Sequence, residues 1–323
     1  MDQTSAKYVI GIDGGGTKTQ AVLLDDTGRE LSRGRSSGAN PNTVGRAAAA
    51  KAINDAIQAA LSRASAVSGT TPTLGSIAGV GIGTAGASGA QAWLNQTLAD
   101  AVPGAVTVSG HDAEIALVGA LGVRRGIVAI AGTGSTVYGM NDAGDEALVD
   151  GWGYLLGDSG SGFAIGQAAL RVFLYVRDGR AAPGTLSAAV QQHLGLDTRD
   201  EIIAWAYGGA SGGDPRAHVS EVAKLARVVM ELAGQSDPDA QAIIDKTAGE
   251  LVLSIKAAWQ RLKLGKCAVG LAGGVLGWGG PMARAVSAQL ATSLPDVTPT
   301  KPRSDAATGA AWLAMHALGW RRI

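Results

Sequence analysis

Residues 10–26 read IGIDGGGTKTQAVLLDD, and residues 128–142, VAIAGTGSTVYGMND, repeat their shape. In each, a short apolar strand runs into a Gly/Thr turn, an alternating strand follows, and an acidic turn closes at Gly28 or Gly144. Ile12 and Ile130 fall in matching places, as do Gly14 and Gly132. A strand that ends in consecutive glycines bares backbone N–H groups that no side chain shields, and such groups hold phosphate oxygens. Two turns of this kind, one in each half of a duplicated chain, predict a clamp on a polyphosphate and hence a nucleotide-using enzyme.

Outward from the first hairpin, residues 30–36 give a third strand, and GRAAAAKAINDAIQAALSRAS (45–65) an amphipathic helix with Ile53, Ile57 and Leu61 four apart. A Ser/Gly/Thr/Pro stretch (65–75) precedes the buried strand of SIAGVGIGTAG. A helix over 89–101, a short strand over 105–109 and a helix over 113–121 follow. The second half carries helices over 161–178, 183–194, 199–206, 217–234 and 237–262. After them come a buried strand in CAVGLAGGV, a helix over 280–292, a strand-like VTPTK and a last helix over 305–318. Strands alternating with helices in both halves predict an α/β protein. The 323 residues suit two domains of ~100–200 residues.

Composition narrows the partners. Nearly half the chain is apolar (46%) and its formal net charge is zero, so no field draws it to nucleic acid or anionic lipid. Charged residues are only 17%, against roughly 25% in soluble proteins. Alanine and 48 glycines take their place, favouring close helix packing and tight turns. One cysteine, Cys267, makes neither an internal disulfide nor a thiolate cluster, which predicts a reducing compartment. The first residues lack a signal-peptide pattern, and no window nears the roughly 18 apolar residues of a membrane span. The expectation is a soluble cytoplasmic protein.

Several segments are candidates for chemistry. Asp13-Gly14-Gly15-Gly16-Thr17-Lys18-Thr19 puts a carboxylate at a strand end before three glycines and two hydroxyls, which suits hydrated Mg²⁺ beside a phosphate cradle. Read blandly it is an Asp-Gly hairpin turn; Lys18 lacks the spacer of a Walker loop. Gly132-Thr133-Gly134-Ser135 gains weight from matching it. Gly81 to Gly86 satisfies GxGxxG, but it lies mid-lobe rather than in the first βα turn, and the next strand, VTVSG, runs out into His111-Asp112; a chance match in a glycine-rich chain is the better reading. Asp112, where a strand gives way to a helix, is the candidate general base for transfer to an alcohol. On spacing alone a cap is the stronger reading, since Ser109-x-x-Asp112 fits a capping box.

The loop Gly151 to Gly162, GWGYLLGDSGSG, combines Trp152, Gly153, Tyr154 and Leu155 with Asp158, a composition that suits a carbohydrate. Equally, Trp152 is core and Asp158 or Ser159 caps the helix that follows. Gly273, Gly274 and Gly277 end a buried strand and leave room for a planar ring, or serve close packing. Asn40 is a turn residue before Pro41 or a sugar ligand.

Taken in order, these motifs resemble the N-acetylglucosamine kinase family and its glucosamine kinase relatives, BadF/BadG-type ATPases of the actin/hexokinase/Hsp70 superfamily. The resemblance runs from about Tyr8 to Ala314. It implies a two-lobed actin-like ATPase (ribonuclease H-like) fold with duplicated five-stranded mixed sheets, flanking helices and a cleft between lobes. One lobe would span 1–120, with helix 308–323 packing back on it, and the other 121–307. By resemblance, Asp13 holds Mg²⁺ and Gly14 to Lys18 form the first phosphate motif. Gly132 to Ser135 form the second, with Thr133 on ATP, and AGGVLG (272–277) the adenosine motif. HDAE makes Asp112 the base. Asn40, Gly151 to Leu155 and Asp158 contact the sugar. Three positions depart from the pattern: His111 replaces the commoner Thr before Asp112, Ser159 stands where Glu often follows the loop aspartate, and no tryptophan follows Asn40.

The resemblance implies an ATP- and Mg²⁺-dependent kinase of the 6-hydroxyl of N-acetylglucosamine or a close analogue, working as a homodimer. Glucosamine kinase is the nearest alternative. An activator ATPase of an acyl-CoA dehydratase is another, but its bridging iron–sulfur cluster needs interface cysteines, and Cys267 supplies one per subunit. A non-catalytic sensor would be marked by loss of the base, and Asp112 is present.

Overall fold

The computed structural model describes residues 8–68, 72–84, 89–207 and 215–323. The chain divides into two compact units, one of Met1–Gly126, Asp142–Gly144 and Pro302–Ile323, the other of Ile127–Asn141 and Asp145–Lys301.

In the first unit, strands β1 (Tyr8–Gly14), β2 (Lys18–Asp25) and β3 (Glu30–Ser37) lead through α1 (Pro41–Val44) into α2 (Arg46–Ser68). β4 (Ile77–Thr84), α3 (Gln91–Ala101), β5 (Val106–His111) and α4 (Asp112–Leu121) follow. In the second, β6 (Gly126–Ala131), β7 (Ser135–Met140) and β8 (Glu146–Asp150) precede α5 (Gly162–Arg177), α6 (Thr185–Leu194), α7 (Arg199–Ala206), α8 (Pro215–Gly234) and α9 (Pro238–Leu262). β9 (Cys267–Ala272), α10 (Pro281–Ser293) and β10 (Val297–Thr300) complete it, and α11 (Ala306–Ala317) returns to the first unit.

The sheet orders are β3-β2-β1-β4-β5 and β8-β7-β6-β9-β10. Each strand of the first has its counterpart five places later in the second, so the repeat visible in the hairpins extends to both whole sheets. β1 runs antiparallel to β2 and parallel to β4, which is parallel to β5; β9 is parallel to both β6 and β10. This is the expected pair of five-stranded mixed sheets with flanking helices. β8 was not legible as a strand. It is an edge of five residues on which Leu148 is 47% exposed, so it lacks the apolar run of a central strand.

In the first unit, one face of the sheet packs on α2 and α3. Ile53 and Ile57 are fully buried and Leu61 nearly so, each stabilising by roughly 1.5–3 kcal/mol. The other face packs on α4 and α11 through Val9, Val22, Ile115 and Ala311. Glycine makes that approach possible. A Cβ on Gly11 would stand 2.0 Å from the Ala307 carbonyl oxygen, and one on Gly81 2.1 Å from that of Ala310. The GxGxxG match is therefore a packing surface at Gly81 and Gly83; Gly86 lies outside the described residues. No helix among the described residues is long and apolar enough to cross a membrane.

Candidate functional site

Parallel pairing lines up the carboxyl ends of β1, β4 and β5: Asp13 is in register with Gly83, and Gly83 with Gly110. Neighbouring strands lie about 4.8 Å apart, and the chain enters α4 directly after β5, so Asp112 comes near Asp13. Asp13 registers this. Burial first, then the charges of Asp112 and Asp305, push its carboxyl from 3.8 up to about 6, against an opposing pull from Lys18.

Asp112 is the first residue of α4, one position inside the cap. His111 is the cap: its Nδ1 accepts the Ala113 N–H at 3.2 Å, with extended backbone at φ −75°. Asp112 Oδ1 shares that N–H at 2.9 Å and stands 2.8 Å from His111 Nδ1, a donor whenever the ring nitrogen is protonated. The capping box read from Ser109 and Asp112 does not form, because the strand continues through His111. Oδ2 of Asp112 is engaged by no described group, and the side chain is 39% exposed.

The first glycine turn closes with the Gly15 N–H on the Lys18 carbonyl at 3.1 Å and leaves Gly16, Thr17 and Lys18 exposed. The segment after β3 lies across it, with the Ala39 N–H on the Gly15 carbonyl at 3.0 Å. Asn40 caps α1, its Oδ1 accepting from the Asn42 N–H at 2.9 Å, and Pro41 is the first helical residue. The turn reading of Asn40 is realised, and its Nδ2 remains unengaged by described groups.

Asp305 was not singled out from the sequence. It caps α11, Oδ1 accepting from the Thr308 N–H at 3.0 Å, and its Oδ2 pairs with Arg33 of β3. Burial pushes its carboxyl up, but the Thr308 N–H and the Arg33 guanidinium outweigh that and hold it below the usual carboxylate range. The Asp-x-x-Thr spacing before an apolar helix was the available signal.

In the second unit, the Gly132 N–H closes its turn on the Gly134 carbonyl at 2.8 Å. The carbonyls of Gly132 and Thr133 accept the N–H groups of Gly162 and Phe163 at 2.8 and 3.2 Å, fixing the turn to the start of α5. The glycine turn after β9 folds against the same place. The Val275 N–H reaches the Ala131 carbonyl at 3.0 Å, and Gly273, at φ +94°, would carry a Cβ 2.2 Å from that oxygen. Between the turns (Gly132, Thr133, Gly274, Val275) and α8 (Ser220, Lys224, Arg227, Met230) lies a cavity of about 390 Å³. That is within the roughly 300–1,000 Å³ of small-molecule sites. The α8 residues were missed; their i, i+4, i+7 spacing reads as an ordinary solvated stripe until the glycine turns are placed opposite.

The loop after β8 hangs on Asp150, also missed. Its Oδ1 accepts the Asp158 N–H at 2.8 Å and its Oδ2 the Ser159 N–H at 3.1 Å, so the far part of the loop is tied back to the residue from which it starts. Asp158 is buried at φ +58°, a conformation seldom held without cause. Burial and the Asp150 charge push its carboxyl up, against N–H groups of Ser135 and Gly153. Neither Asp158 nor Ser159 caps α5: Ser161 does, its Oγ accepting from Ala164 at 3.1 Å. The core reading of Trp152 also fails, since it is 74% exposed, as is Leu155 at 79%. Tyr154 packs its ring against Phe163 at 5.1 Å between centroids.

No group of three or more His, Cys, Asp or Glu side chains among the described residues forms a ready-made metal cage. Mg²⁺ does not require one, since it is commonly held through one or two carboxylates, water and substrate phosphates. Asp13, buried and beside the negative charges of Asp112 and Asp305, is an oxygen donor that fits such an ion.

A match to the BadF/BadG/BcrA/BcrD ATPase family covers residues 10–314. The chain is 31% identical to an N-acetylmuramic acid/N-acetylglucosamine kinase of Clostridium acetobutylicum, over 84% of this chain and 86% of that protein. It is 30% identical to an N-acetyl-D-glucosamine kinase of Dictyostelium discoideum, over 97% and 99%. Among solved structures, a protein of Chromobacterium violaceum provisionally named N-acetylglucosamine kinase superposes with a TM-score of 0.73 at 26% identity, covering 96% of this chain and 99% of that one.

Proposed function

The chain belongs to the BadF/BadG/BcrA/BcrD ATPase family, and from that premise we propose that it transfers phosphate from ATP to the 6-hydroxyl of an amino sugar, first N-acetylglucosamine. The observation that carries the reading is Asp112 at the head of α4, with an unengaged carboxylate oxygen and close enough to Asp13 for its charge to be felt there. Proton acceptance from an alcohol needs little more in phosphoryl transfer, where the transition state is loose. The relatives named as kinases of this substrate class support it.

In this reading Asp112 Oδ2 accepts the hydroxyl proton while the Ala113 N–H, joined by His111 Nδ1 when that nitrogen is protonated, orients its other oxygen. Gly14 to Lys18 and Gly132 to Ser135 hold phosphate oxygens through backbone N–H groups. The cavity beside Gly273 and Gly274 takes the nucleoside. Asp13 holds Mg²⁺, which when bound neutralises charge on the phosphoryl oxygens. Asn40 Nδ2, the Gly151–Leu155 loop and Asp158 hold the sugar. A homodimer in the cytoplasm belongs to the same proposal, on the resemblance.

Glucosamine kinase is the rival to separate first, because a third relative, from Vibrio cholerae, carries that name at 31% identity. The dehydratase-activator alternative is disfavoured, since Cys267 is buried on β9 and offers no surface thiol to a bridging cluster. ADP release over N-acetylglucosamine, glucosamine, N-acetylmuramate, N-acetylmannosamine and glucose decides the substrate. The expected result is the highest kcat/KM for N-acetylglucosamine; turnover of none of them refutes the reading.

A further inference from the structure

The first glycine turn and the segment ending in Asn40 are joined by three contacts that sequence spacing does not show. Thr19, fully buried at the end of the turn, donates its Oγ1 to the Ser37 carbonyl at 2.7 Å. The Ala39 N–H donates to the Gly15 carbonyl at 3.0 Å. Between these bonds, Gly38 lies so close to the turn that a Cβ on it would stand 2.2 Å from the Gly16 carbonyl oxygen and 3.2 Å from the Thr17 nitrogen. Both neighbours are backbone, so neither can swing aside as a side-chain end would. Gly38 has no left-handed φ to explain it. What demands glycine there is the approach itself.

The contact fixes two things at once. Gly16 and Thr17 sit at the tip of the turn that presents N–H groups, and Asn40 begins two residues beyond Gly38. From this we infer that Gly38 is a positioning residue that locks the phosphate turn and Asn40 into one rigid piece, so that each substrate is bound by a backbone the other helps to hold. The inference rests on the proposed kinase function and deepens it. It makes Gly38 responsible for coupling between the two ligands, whereas Gly16, with no heavy atom within 4 Å of its missing Cβ, has no such role. A displacement of about 1 Å in such a support costs up to about 100-fold in turnover, and loss of one hydrogen bond at each site costs up to about tenfold in affinity.

The test compares Gly38→Ala with Ser32→Ala in steady-state transfer from ATP to N-acetylglucosamine and in thermal unfolding. Ser32 is buried and its Oγ bonds the Ala60 carbonyl at 2.7 Å, earlier on β3. Its loss lowers the melting temperature without touching the turn, and both KM values stay within about twofold. Gly38→Ala raises the KM for ATP and the KM for the sugar together, each about tenfold, and abolishes any tightening of ATP binding by the sugar. If Gly38→Ala does not fold, Thr19→Val removes one of the three contacts at nearly constant volume, and a joint rise of both KM values, about threefold, is expected. Unchanged KM values, or a rise in only one of them, overturns the inference while the kinase reading stands. No transfer by the unsubstituted chain removes both.

Discussion

Replacing Asp13 by asparagine tests the electrostatics at the centre of the site, because it predicts a gain in stability alongside a loss of function. The Asp13 carboxyl sits at about 6 against an ordinary 3.8. In the folded chain it therefore keeps its proton over roughly two pH units in which the unfolded chain has lost it. Each unit corresponds to ~1.4 kcal/mol, so ionising Asp13 costs the folded state up to ~3 kcal/mol. Solvent reaching a half-buried group reduces that to ~1–2 kcal/mol. The sign follows from proton linkage: below about pH 4 the group is neutral in both states and costs nothing, stability falls as pH rises towards about 6, and the full cost persists above. The amide that replaces the carboxyl is neutral at every pH. Denaturant unfolding of Asp13→Asn and the unsubstituted chain at pH 4, 6 and 8 should show no gain at pH 4 and a gain of ~1–2 kcal/mol at pH 8. Mg²⁺ with ATP at 100 times its Kd should stabilise the unsubstituted chain by ~2.7 kcal/mol and the variant much less. A gain independent of pH, or one largest at pH 4, would show that burial and the neighbouring carboxylates do not penalise the Asp13 charge and would remove the argument for a cation there.

Three further outcomes are expected. Asp112→Asn lowers kcat by about 10²–10⁴-fold with the sugar KM little changed in steady-state assays; near-normal turnover denies it the role of base. Asp150→Ala unties Asp158 and Ser159 from the start of the loop that carries Trp152, so the KM for the sugar rises about tenfold while that for ATP holds; an unchanged sugar KM detaches this loop from the sugar. Gly273→Ala forces a Cβ against the Ala131 carbonyl at φ +94°, a strain of about 1–3 kcal/mol. It raises the KM for ATP with the sugar KM unaffected, and equal effects on both place the nucleoside elsewhere.

The two hairpins were legible because strand alternation and glycine turns are local, and the helix carrying Ile53, Ile57 and Leu61 because its apolar stripe is. What eluded the sequence depends on contacts far along the chain. Asp305 meets Arg33 across 272 positions, and the α8 residues face a glycine turn some fifty positions away. Asp150 looks like any residue before a turn until the N–H groups of Asp158 and Ser159 are seen to converge on it. The caps at Asp112 and Asp158 were misplaced for a simpler reason. A cap is set by the residue whose backbone is still extended, which is His111 in one case and Ser161 in the other. Spacing patterns alone cannot say where extension stops.

The return of α11 to the first unit bears on how the protein is made. Val9 and Val22 share a core with Ala310, Ala311 and Met315, yet nearly three hundred residues separate them along the chain. During synthesis the N-terminal sheet leaves the ribosome with that face covered by α4 alone, and the place of α11 stays empty while the whole second unit emerges. The later unit has its own complete set of strands and helices and gains its core first, so the earlier-made half is the last to finish. Until then the apolar strip that α11 will cover is the surface a chaperone would be needed to shield.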